Sequence, residues 1–217
     1  TYGDGYAGIG VWRAAFKPLV DRIADTDIRL QWFCCDRSTG VTDASGNRIT
    51  LIRDTQSPVA VEYQAVKFIG TGRDNIKAGV FSGWELGDYI YLRSEEAYMI
   101  KMEALAHKGS ADAITELNSF MKTRQPDYNY TFTNKADLIE EIIYQKRVEF
   151  WGEGLEYIDN RRLNIPVDRT DETWGAENNN HFSAGKFRYN QEDRPFLYQL
   201  PLSEIENNSQ LSPSDQN

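Results

Sequence analysis

The chain has 217 residues, and its 33 acidic side chains outnumber its 24 basic ones, for a net charge of −9. An isoelectric point near 4.8 argues against a nucleic-acid surface, which needs clustered Lys and Arg against phosphate, and leaves neutral ligands open. A mean hydropathy of −0.60 and apolar runs far shorter than a membrane span speak against an integral membrane protein, while the length supports one sizeable core or two small ones without disulfides or metals.

Cysteine and histidine offer little chemistry. Cys34 and Cys35 are adjacent, too close for an ordinary disulfide, and read as buried thiols in the apolar stretch that also holds Trp32 and Phe33. Only His107 and His181 occur, with no zinc spacing, so no metal or cofactor is expected. The start, Thr1-Tyr2-Gly3-Asp4-Gly5-Tyr6, has neither an initiator methionine nor a signal segment. The chain therefore reads as a mature or truncated piece of a protein.

Residues 1–87 are expected to be loop-rich. Pro18 suits a first helical position and opens a short helix over 18–24, closed by Asp25-Thr26-Asp27. Residues 41–47 carry turn signals. Val59, Val61, Tyr63 and Ala65 alternate with other residues and predict a strand near 58–68. Gly70, Gly72, Gly79, Gly83 and Gly87 then punctuate a loop that contains Trp84.

From 88 to about 163 the spacing becomes helical. Leu92, Glu96, Met99, Glu103 and Ala106 lie on one stripe of a first helix, stopped by Gly109. Ser110 caps a second helix with Ile114, Leu117, Phe120 and Met121, which ends before Pro126. A two-residue connection predicts an antiparallel hairpin. A third helix begins at Thr133-Asn134 and runs to Trp151, and a fourth spans 155–163 after Gly152 and Gly154. Two hairpins with small contact residues (Ala97, Ala104, Ala106) predict tetratricopeptide-like packing. Residues 164–195 are expected to be a polar loop and 196–200 a short strand. A helical turn is predicted at 203–205 and an extended or frayed tail over 207–217.

Catalytic signals are weak. Glu149 and Glu153 sit four apart, and Glu95 and Glu96 are adjacent; paired carboxylates can work on glycosidic bonds. The same stretches carry Arg93, Lys101, Lys146, Arg147, Arg161 and Arg162, which favours an ion-pair network. No nucleophile elbow, zinc helix or phosphate loop appears. Gly3, Gly5 and Gly8 satisfy a dinucleotide pattern in form, but no strand precedes them.

The 5 Trp and 12 Tyr suggest flat faces for sugar rings. Trp32 and Trp151 sit among apolar residues and read as core. Tyr6 and Trp12, spaced by Gly3, Gly5, Gly8 and Gly10, and Trp84 between Gly83 and Gly87, lie in glycine-rich loops without an obvious core to fill. These three are the candidate ligand-stacking residues, with Trp84 the weakest.

The helical block Tyr91-Leu92-Arg93-Ser94-Glu95-Glu96-Ala97-Tyr98 followed by Met102-Glu103-Ala104-Leu105 resembles a helix of the SusD/RagB family of outer-membrane nutrient-binding lipoproteins. Gln145-Lys146-Arg147-Val148-Glu149-Phe150-Trp151-Gly152-Glu153-Gly154 is similar to that family's "ERRxELxxEG" segment, and Asp159-Asn160-Arg161-Arg162 to the motif that continues it. Leu200-Pro201-Leu202-Ser203-Glu204-Ile205 resembles the family's closing motif, and Thr26-Asp27-Ile28-Arg29 its "DxR" turn. Two departures touch only packing: Gln145 stands where the family usually has an acid, and Ser94 where it has a small apolar residue.

The resemblance implies a mainly α fold, with tetratricopeptide-like hairpins, extensive irregular loops and a few short strands. It implies one SusD-like domain of which residues 1–217 are the C-terminal portion: a loop-rich part (1–87), a helical scaffold (88–163) and a loop with tail (164–217). The N-terminal half, signal peptide and lipid-bearing Cys would precede it. By resemblance the protein faces outward on the outer membrane and passes captured oligosaccharide (peptide in some members), uncleaved, to a SusC-like TonB-dependent transporter. Arg93, Glu96 and Glu103, with Arg147, Glu149, Glu153, Asp159 and Arg161, would then lock helices together. A glycoside-processing enzyme using helical carboxylates and a helical-repeat interaction module are the alternatives. The first would hold two carboxyls on one open cleft about 5–10 Å apart, the binder would bury them against arginines, and the module would lack an aromatic loop cluster.

Overall fold

Gly109 explains why the first long helix stops where it does. It sits at φ +71°, and Ser110 N donates to Leu105 O while Gly109 N donates to Ala106 O, the paired bonds of a left-handed helix end. The computed structural model describes residues 14–34, 63–65, 67, 91–193 and 197–215. Within them the helices are α1 (Lys17–Asp21), α2 (Ser94–His107), α3 (Asp112–Met121), α4 (Lys135–Glu149), α5 (Leu155–Leu163), α6 (Asp171–Trp174) and α7 (Leu202–Asn207). The strands are β1 (Phe33–Cys34), β2 (Gln64–Ala65), β3 (Val167–Asp168) and β4 (Arg188–Tyr189). The side chain of Cys34 and all of Cys35 lie outside the described residues, as does most of the strand expected near 58–68.

The chain divides into two compact units, Thr1–Trp151 and Gly152–Asn217. In the first, α2 and α3 form an antiparallel hairpin. Lys101 meets Glu116 at 2.6 Å and Tyr98 meets Phe120 at 6.4 Å between ring centres, so one helix descends as the other ascends. The connection is residues 108–111, longer than the two residues expected, because Lys108 and Ala111 complete the two helix ends. Helix α4 packs against α2 and runs opposite to it: Lys135 reaches the carbonyl of His107 at one end, and Arg93 reaches Glu149 at the other. Asn134 caps α4 by accepting from Asp137 N.

The core of this unit joins distant parts of the chain. Val20 and Ile23, Leu30, Phe33, Tyr63 and Ala65 pack with Tyr144 and Val148 of α4. Trp32 and Trp151 are half-buried against this cluster, and Trp151 meets Phe33 edge-on at 5.7 Å. The core role expected for both tryptophans holds. Pro18 lies in the first turn of α1, as its fixed φ favours.

In the second unit, α5 spans the residues expected from sequence. The stretch 164–195, expected to be a loop, instead contains the antiparallel pair β3 and β4, with Val167 opposite Tyr189 and Asp168 opposite Arg188. Asp168 organises it: its carboxylate accepts from Thr170 N and Oγ1, Thr173 Oγ1 and Arg188. No strand forms over the described residues 197–200. The tail is not wholly extended either, because Ser212 N donates to Asp215 and closes a 3-10 turn over Pro213–Asp215.

Candidate functional site

Asp27 begins a 3-10 turn over Ile28–Trp32, and its carboxylate accepts from Arg29 N at 2.9 Å. That turn folds Arg29 back onto the same carboxylate through Nε and Nη2, at 3.0 and 2.7 Å. The free side of the guanidinium then points at α4. Nη1 lies 3.3 Å from Glu149 Oε2, and Nη2 donates to Gln145 Oε1 at 2.5 Å.

Glu149 is the centre of an ionic knot. Besides Arg29, its carboxylate accepts from Arg93 at 2.7 Å and from Arg124 at 3.2 Å. Arg93 and Lys67 also donate to its backbone carbonyl, both at 2.6 Å, supplying the orphan acceptors at the end of α4. Glu95 joins through Arg124 at 3.3 Å and Arg93 at 3.7 Å. It fills the place expected of Glu96. Three arginines therefore balance three acids. Glu149 is 1% exposed. Burial opposes its ionised form, but the hydrogen bonds from Arg124 and Arg93 and the charge of Arg29 outweigh that and hold its carboxyl at about 2. A carboxylate whose oxygens face three arginines in the interior has no side left for a substrate. A smaller pair, Glu103 with Lys146 at 3.3 Å, is buried between α2 and α4.

A second feature is open. A cleft of about 250 Å³ lies among the turn after α1, the segment after α3, and α4. Its walls are tied together by Ile28 N to Arg124 O and by Thr26 Oγ1 to Asp127. Tyr128 and Tyr130 stand nearly parallel beside it, 17° apart in plane, and the guanidinium of Arg22 covers the ring of Tyr144 at 3.9 Å. Glu141 holds three of these parts together, accepting from Arg22 at 2.6 Å, Tyr128 at 2.8 Å and Gln145 at 2.7 Å. Burial and the neighbouring Glu141 push the Tyr128 hydroxyl far above its ordinary range, so it remains a donor.

The sequence singled out Glu149 by its spacing and the Asp27–Arg29 turn by resemblance, but not Arg124, nor the bridge that Gln145 makes between Arg29 and Glu141. The cleft was missed as well, although Tyr128-Asn129-Tyr130 after Pro126 is a visible aromatic turn. Tyr6, Trp12 and Trp84 lie outside the described residues. Among the described residues no group of His, Cys, Asp or Glu is arranged to hold a metal ion, and no helix is long and apolar enough to cross a membrane.

The family model of the SusD family matches residues 63–217. The chain belongs to the SusD family. Its fold is also that of a solved SusD-like carbohydrate binding protein from Bacteroides vulgatus ATCC 8482, with a TM-score of 0.62 at 22% identity. The match covers 97% of this chain and 44% of that one, so this SusD-family chain spans less than half the length of its solved relative. Comparison with curated proteins gives no match.

Proposed function

We propose that this SusD-family protein captures oligosaccharide at the outer surface of the cell without cleaving it and delivers it to a SusC-type TonB-dependent transporter. The observation that carries the non-catalytic part is Glu149. One of the helical carboxylates weighed for glycosidic chemistry is spent on Arg29, Arg93 and Arg124. Family membership supplies the ligand class, in keeping with the carbohydrate binding ascribed to the Bacteroides vulgatus relative. The same membership is what supports the transporter partner and a lipid-anchored position on the outer membrane. In this proposal Tyr6 and Trp12, with Trp84 in a lesser role, stack on sugar rings, while Asp and Asn side chains bond hydroxyls. Contacts of this kind give the reversible grip that suits a protein that hands its cargo on.

Calorimetric titration of the chain against a panel of soluble plant and host oligosaccharides tests capture. Co-purification from outer membranes of cells that also express a SusC-type transporter tests delivery. Saturable binding together with a retained complex supports the proposal. Failure of every sugar to bind removes it.

A further inference from the structure

We propose that the cleft beside Tyr128 and Tyr130 is a separate ligand site that takes a single uncharged sugar ring. Its volume, about 250 Å³, falls just below the roughly 300–1,000 Å³ of pockets for drug-sized molecules, so it fits one ring and not a chain.

Charge narrows the class. Arg22 already faces Glu141 at 2.6 Å and Glu140 at 3.9 Å, which leaves no surplus positive charge to hold an anion. Glu141 in turn is occupied by Arg22, Tyr128 and Gln145, so it offers a cation no vacant oxygen. What the lining does present is ring surface and amides. The hydroxyl of Tyr130 is turned to the carbonyl of Asp137 at 3.1 Å and that of Tyr128 to Glu141, which fixes both rings; Tyr128 is buried and Tyr130 half-buried, so Tyr130 offers the accessible ring surface. Asn129 is exposed, and Gln125 is half-buried with its side chain already bonded to Asp127. An amide both donates and accepts, as does each hydroxyl of a sugar, and flat aromatic walls suit the C–H faces of the ring.

The inference shares its ligand class with the proposed capture function but names a different place, built from α4 and the turns packed on it and not from the glycine-rich loops. The test is saturation-transfer NMR on the full chain titrated with D-glucose, D-galactose, D-mannose and D-xylose, repeated on Asn129→Ala, Tyr130→Leu and Trp12→Ala, each checked for an unchanged melting curve. The expected result is saturable binding of at least one of the four, weakened tenfold or more by Asn129→Ala or Tyr130→Leu, with a saturable component retained in Trp12→Ala. If Tyr130→Leu does not fold, Asn129→Ala, at an exposed position, decides. Absence of binding by all four sugars overturns the proposal, as does binding that survives both cleft variants or is lost only in Trp12→Ala. Cleft binding without any oligosaccharide capture would sink the proposed function and leave this site standing.

Discussion

Arg29 and Glu149 are 120 positions apart in the chain and meet at 3.3 Å in the interior, each only 1% exposed. Their contact ties the 3-10 turn after α1 to the last turn of α4, and Arg93 and Arg124 close the remaining sides. One of the acids weighed for catalysis in the sequence is thereby the hub of the fold. Removing one partner of such a cluster leaves uncompensated buried charge, which is why its loss is severe even though an intact buried pair adds little net stability.

Glu149→Ala is therefore predicted to cost about 3–5 kcal/mol, because three arginines lose their shared partner. Urea denaturation of the variant and the parent protein measures it. A loss under 1 kcal/mol would show that the knot is dispensable.

The same hub sets an acid limit. Glu149 has a folded pKa of about 2 against an ordinary value of 4.5. A depressed pKa contributes stability that is complete above the unfolded value and lost as pH falls through the folded one. Between about pH 5 and pH 2 the protein should lose about 3 kcal/mol from this group. Denaturation midpoints at pH 7, 4 and 3 should fall in that order, and Glu149→Gln should flatten the slope.

Gln145 gives to Glu141 and takes from Arg29, a two-way role that needs an amide. Gln145→Met keeps the bulk and removes both bonds, at a predicted cost of about 1–3 kcal/mol for the unsatisfied buried groups. Thermal melts of this variant, compared with those of an exposed control such as Glu140→Gln, test the bridge.

At Gly109 an added Cβ would meet nothing within 4 Å, so any penalty comes from the backbone alone. Gly109→Ala at φ +71° should cost about 1 kcal/mol, and Gly109→Asn less. Equal stability of all three would mean that the helix end is not held in this conformation.

The helices were legible because their signals are local. Asn134 caps α4, Gly109 ends α2, and the glycines on either side of Glu153 separate α4 from α5, whose limits at Leu155 and Leu163 follow from the spacing. The pairing of β3 with β4 was not legible, since strands of two residues leave no alternation and Asp168 forms them through side-chain bonds. The ionic knot was half legible. The acids stood out in their motifs, but Arg124 carries no local sign that it belongs with Glu149. The cleft depends on three segments meeting, Arg22, Tyr128 and Glu141 among them, and no single window of sequence contains that.

For the loop aromatics, Trp12→Ala and Tyr6→Ala are each predicted to weaken oligosaccharide binding by about 1–2 kcal/mol with little change in melting temperature. Trp84→Ala should have the smaller effect on affinity. Calorimetric titration paired with melting curves separates this outcome from a core role, in which stability falls and affinity holds.

Capture without cleavage is tested by following one oligosaccharide through binding and release. The chain is incubated with a ligand found by titration, the complex is separated, and the released sugar is analysed by mass spectrometry. A non-cleaving binder gives saturable binding and recovery of the sugar at its original length. Shortened products that disappear in a folded Glu149→Gln variant would contradict it.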